Sequence, residues 1–172
     1  MTTSFGPIID RQVAIDHEDA RRLPTQSDLE QWVGETLRHI QVPVSKEITV
    51  RFVSREESGT LNREYRGKDR PTNVLSFPFD MPAELDIPLL GDLVICHDVV
   101  AQEASEQHKA LLTHYAHMVV HGTLHLLGHD HIEDNEAERM ERLETEILAI
   151  FGIKDPYDHP SDHDNGDKRL DA

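Results

Sequence analysis

The run from Lys109 to Leu127 carries Leu111, Leu112, Tyr115, Met118, Val119 and Leu126 along a helical pattern, and Gly128 follows where a helix cap belongs. Apolar surface of that extent has to be covered by other elements. The rest of the chain supplies short strands and amphipathic helices. Ile8 to Asp16 alternates polar and apolar residues and predicts a strand. Ser27-Asp28-Leu29-Glu30 has the pattern of a capping box, and Leu29, Trp32, Val33, Leu37 and Ile40 continue it as a helix that Pro43 stops. Lys46 to Ser54 places Ile48, Val50 and Phe52 on one face of a second strand. A second capping box, Ser54 to Glu57, opens a short helix running to about Tyr65, and Gly67 to Thr72 reads as a loop. Asn73 to Phe79 and Gly91 to His97 are the third and fourth strands, the last apolar enough at its centre to lie inside the sheet. Helix resumes after Asp98. From Asp134 an acidic helix aligns Ala137, Met140, Leu143, Ile147, Leu148 and Phe151 in one stripe, with Glu on the opposite face.

The order β-α-β-α-β-β-α-α-α predicts an α+β single domain, one mixed four-stranded sheet covered by helices. The domain is expected over residues 1–154, and residues 155–172 as an acidic, disordered tail: six Asp stand there against Lys168 and Arg169. Asp162-His163-Asp164-Asn165-Gly166-Asp167 resembles a calcium loop, but Gly166 stands at a ligand position and the pattern fails. The formal net charge of −16 disfavours anionic membranes and bulk nucleic acid without forbidding a local basic site. A single cysteine, Cys96, excludes an internal disulfide framework and a thiolate zinc finger, and fits a reducing compartment. No apolar run approaches the roughly 18 residues of a membrane span, and no secretory signal is visible, so a cytoplasmic protein without membrane partners is expected.

Histidine is the unusual component. Of the 12, His108, His114, His117, His121, His125, His129 and His131 fall close together. His121 and His125 are one helical turn apart on one face, and Gly128 lets the chain return so that His131 approaches from outside. Three imidazoles suit zinc and leave a fourth position for water, as catalytic sites do; nickel or copper would also accept them. The predicted metal site therefore lies at the end of the long helix. His117 could pair with His121 instead, but one ion cannot take ligands from both His117 and His125 of a straight helix. The reversal at Gly128 favours His121 and His125, leaving His117 as a packed or ligand-supporting residue. Asp130 could orient a ligand ring or simply occupy the turn. His108 and His114 read as helix-surface residues. Metalloproteases of the H-E-x-x-H type carry their general base beside the first His; here that residue is Gly122.

Leu61 to Pro78, Gly91 to Ile95 and His121 to His131 together resemble the YbeY family of endoribonucleases, in motif order and spacing, over residues 50 to 150. The resemblance implies a single-strand-specific, zinc-dependent endoribonuclease in the 3′-end maturation of small-subunit (16S) ribosomal RNA and in ribosome quality control. It implies one zinc ion per chain on His121, His125 and His131, and Arg66 as a basic residue facing the site. Ribosomal RNA and the ribosome or its proteins are the implied partners, and DNA is not. Two residues depart from the family pattern: Asn73 stands for an aspartate, and His129 for an aromatic residue. A guanidinium at Arg66 could bind two phosphoryl oxygens as negative charge builds on them. Residues 51–70 carry a local excess of two positive charges and are the best stretch for phosphate contact. Against the overall charge, affinity for naked RNA is expected to be weak. Two other readings fit the same residues: a non-catalytic ribosome-associated factor with a structural metal, and a metal-dependent hydrolase of another substrate.

Overall fold

The computed structural model describes residues 6–42, 46–79, 88–128, 134–154 and 156–157. Four strands, β1 (Ile8–Val13), β2 (Glu47–Val53), β3 (Val74–Pro78) and β4 (Leu89–Cys96), form one sheet in the order β1-β2-β4-β3. β1 and β4 run parallel to β2, and β3 pairs antiparallel with β4. The sheet is therefore mixed, the fold is α+β, and the apolar fourth strand lies inside the sheet as its composition predicts.

Alternation along the strands divides the core in two. Val50, Phe52, Val74, Leu93 and Ile95 join the main core with Leu29, Trp32 and Leu37 of α2 (Gln26–His39), Met118 and Leu124 of α5 (Leu111–Leu126) and Met140 and Ile147 of α6 (Asp134–Ile150). Val53, Leu75, Val94 and Cys96 form a smaller cluster, with Leu61 of α3 (Arg55–Arg66) and Val99 of α4 (His97–Glu106) packed against it. Such period-two partition is what a sheet covered on both faces requires. A one-turn helix, α1 (His17–Ala20), follows β1 without a periodic apolar signal to predict it. Among the described residues no helix is long and apolar enough to cross a membrane.

Helix starts differ from expectation in detail. The cap of α2 is Thr25, not Ser27: Thr25 Oγ1 accepts from the Asp28 amide at 3.1 Å, and Asp28 Oδ2 accepts from the Thr25 amide at 2.9 Å. Thr25 is the residue with extended φ and ψ, so the box is T-x-x-D and Ser27 falls inside the first turn. Ser54 does cap α3. Its expected reciprocal partner Glu57 instead binds the Arg51 guanidinium at 2.7 and 3.1 Å. Pro43, expected to stop α2, lies outside the described residues; the helix itself ends at His39.

Candidate active site along helix α5

Helix α5 presents His114, His117, His121 and His125, spaced three, four and four residues apart and hence on one face. Their ring centroids lie 6.1, 6.3 and 4.7 Å apart in succession. Facing them is Glu144 of α6, whose side chain is 0% exposed. One carboxylate oxygen lies 2.6 Å from His117 Nε2, the other 2.8 Å from His121 Nδ1. Tyr157 Oη donates to the first oxygen at 2.5 Å. Burial pushes the Glu144 carboxyl up, but electrostatic interaction with His121 and the hydrogen bonds from both rings outweigh it and hold the group well below the usual carboxylate range. His117, enclosed in the same contact, is pushed below its ordinary value by burial, against the pull of Glu144.

This arrangement separates the histidines chemically. His117 Nε2 faces Glu144 and Tyr157, so His117 is a packed, supporting residue. His121 is held through Nδ1, which directs Nε2 away from Glu144, and the Nε2 atoms of His121 and His125 are both buried. An imidazole oriented by a carboxylate through one nitrogen is the usual companion of metal ligation through the other. The donor set at this end of α5 thus fits a cation that takes imidazole nitrogen, with His121 and His125 as the closest ring pair. His129, Asp130 and His131 lie outside the described residues. Among the described residues no three His, Cys, Asp or Glu side chains gather closely enough to hold a metal.

Two sequence readings need correction here. Glu144 was grouped with the acidic, outward face of α6, yet it is fully buried. His114 was expected on the helix surface; it is buried, and its Nε2 lies 2.9 Å from Glu103 Oε1. The same Glu103 accepts from Asn73 Nδ2 at 3.2 Å through each oxygen. Asn73 Oδ1 also accepts from the Val74 amide at 2.6 Å. The amide at residue 73 therefore donates to a carboxylate, which an aspartate could not do. His108 is exposed, in the turn between α4 and α5 with φ 56°. Tyr157 lies past the boundary expected at residue 154, and its neighbour Pro156 accepts from Lys109 Nζ at 3.0 Å. Neither residue carries a local signal of its role.

Arg66 ends α3, where Gly67 follows at φ 72° as its left-handed cap. Its side chain lines a cavity of about 270 Å³ shared with Tyr65, Leu75, Ser76, Phe77 and His125. The cavity joins the end of α3, the edge strand β3 and the His125 end of α5. Of the other basic residues in 51–70, Arg51 is engaged by Glu57, Arg55 by Gln102 and Asp98, and Arg63 by Asp69. Gly122 faces the sheet: a Cβ there would lie 2.7 Å from Leu93 Cδ2 and 3.4 Å from Val74 Cγ2. A glutamate at this position would have to enter the core, so residue 122 cannot supply the base of an H-E-x-x-H site.

Comparison with known proteins places the chain in a family. Residues 12–152 match the family model described as Endoribonuclease YbeY. A Chromohalobacter salexigens protein named Endoribonuclease YbeY is 62% identical over 151 residues, covering 88% of this chain and 97% of that protein. The solution structure of a Thermotoga maritima protein, 26% identical, superposes with a TM-score of 0.51 and covers 94% of this chain and 100% of that one. Both the extent of the family match and the identity to a full-length relative lead to one conclusion: this chain belongs to the YbeY family of endoribonucleases.

Proposed function

We propose that the chain is a zinc-dependent endoribonuclease that cuts single-stranded RNA in the cytoplasm, acting in 16S ribosomal RNA 3′-end maturation and ribosome quality control. The observation that carries the reading is the single cavity shared by Arg66 and His125, next to a His121 ring oriented by Glu144. His121, His125 and His131 would hold one zinc ion, with Asp130 and His129 beside the third ligand. When bound, such an ion supplies Lewis acidity toward a phosphoryl oxygen and acidifies water to a pKa of about 7. The protein's own groups do the rest. Arg66 presents two N–H donors to the equatorial oxygens, where charge grows as the phosphodiester opens. Glu144 fixes the tautomer of His121, and His117 and Tyr157 fix Glu144. With a net charge of −16, the chain gains little from long-range attraction to phosphates, so placement on the correct RNA falls to contacts with the ribosome.

The test is cleavage of single-stranded and duplex RNA by zinc-quantified protein, wild type beside Arg66→Ala and His125→Ala. Arg66→Ala is expected to keep its zinc and lose roughly 100-fold in rate, the usual effect of removing one charge-stabilising donor. His125→Ala should lose both zinc and cleavage. Full activity in either variant would overturn the proposal, and a wild-type protein that binds zinc but never cuts RNA would identify a structural metal.

A further inference from the structure

We infer that Tyr65, braced by Phe77, is the seat for an unpaired nucleobase next to the phosphate held by Arg66. The inference rests on the endoribonuclease reading and gives its cavity a substrate-binding side. Tyr65 is 66% exposed, although a ring of that size would ordinarily be covered. It is nonetheless held in place: the Phe77 ring meets it edge to face, with centroids 5.1 Å apart and planes at 71°. Both residues line the cavity that Arg66 and His125 also line, together with Leu75 and Ser76. Among the described residues that line it none is a carboxylate, in a chain with 33 Asp and Glu. The occupant such a lining favours is anionic at one end and flat and apolar at the other. An RNA nucleotide meets that description when its base is unstacked.

Size argues the same way. A volume of about 270 Å³ is of the order of a single nucleotide. Aromatic seats are the general device for holding single strands, because every base offers a π face and duplex pairing hides it. Tyr65 and Arg66 are adjacent in sequence at the end of α3, so one helix terminus sets the base contact and the phosphate contact together. The preference for single strands then follows from the seat and not from the reacting centre.

The experiment measures KM, kcat and, by anisotropy, Kd for one single-stranded RNA oligonucleotide with zinc-loaded wild type, Tyr65→Ala and Tyr65→Trp. Tyr65→Ala should raise KM and Kd roughly tenfold, as loss of one base stack does, with kcat within about twofold of wild type. Tyr65→Trp should bind like wild type. Replacing bases one at a time by abasic sites should reveal one position that weakens wild-type binding and has no effect in Tyr65→Ala. Unchanged Kd in Tyr65→Ala overturns the inference, including the case where the variant loses only a protein partner. So does an equal response of both proteins to every abasic site. If wild type binds the RNA without cutting it, the endoribonuclease reading fails, while the Kd comparison still decides the base seat.

Discussion

Glu144 sets a demanding test because one buried carboxylate serves three partners. Glu144→Gln preserves volume, removes the charge and replaces one oxygen by an amide N–H. His117 and His121 each face a different oxygen, 2.6 and 2.8 Å away, so whichever way the amide turns, one ring nitrogen now meets a donor. If that ring is His121, its proton must move to Nε2, the nitrogen that the proposed zinc ligation would use. If it is His117, the ring can change tautomer and keep its contact. Hydrogen bonds to charged groups contribute about 1.5–3 kcal/mol and neutral ones about 0.5–1.5 kcal/mol. Converting the two ring contacts from charged to neutral therefore costs about 2 kcal/mol. For a domain of this size that lowers Tm by roughly 4–8 °C. Zinc affinity should fall about 10- to 100-fold, the range for loss of a carboxylate behind a ligating histidine. Calorimetry on metal-free protein gives the first quantity and chelator competition the second. A metal-free Tm equal to wild type, together with unchanged zinc affinity, would refute the claim that Glu144 orients His121.

Gly122→Ala should destabilise by about 1–3 kcal/mol in urea titration, because the new methyl must displace the fully buried Leu93 side chain 2.7 Å away; wild-type stability would mean the α5–sheet contact is looser than described. Asn73→Asp places a second carboxylate against Glu103 in place of an amide donor at 3.2 Å, so it should lower Tm at pH 8 and recover as pH falls and one of the pair takes up a proton. A Tm loss independent of pH would contradict that pairing. Acidification of the wild type should destabilise it in two stages. Burial holds His97 and His117 below the ordinary imidazole value. Their contribution is complete above the unfolded value of about 6.5 and declines as pH drops below it. Glu144, also depressed, contributes fully above the unfolded carboxyl value of about 4.3 and loses that contribution as pH falls further. Urea midpoints that rose on going from pH 7 to pH 5 would contradict the first stage.

How much of this was legible in the sequence depends on the kind of signal. Strands and helices announced themselves by period, and β4 by its unbroken apolar centre, so the mixed four-stranded α+β architecture could be read residue by residue. Pairing order is a tertiary property with no local signal, and nothing in the sequence of β3 marks β4 as its neighbour. The spacing of His121 and His125 was visible; the reason for His117 was not, because its partner is 27 residues away on another helix. Glu144 left a trace that was misread. Ala137, Met140, Ile147 and Leu148 mark the buried stripe of α6, and residue 144 falls on the same three-four spacing between Met140 and Ile147. A carboxylate on an apolar stripe costs several kcal/mol unless it is paired. A carboxylate at that position implies cationic or hydrogen-bonding partners, and the row of histidines on α5 supplies them. His114 follows the same logic, as a polar residue on the most apolar helix of the chain, buried against Glu103. Periodicity thus located the surfaces, whereas the residues that break it located the chemistry. That chemistry extends beyond the histidine motif to a carboxylate on the next helix and a tyrosine beyond it.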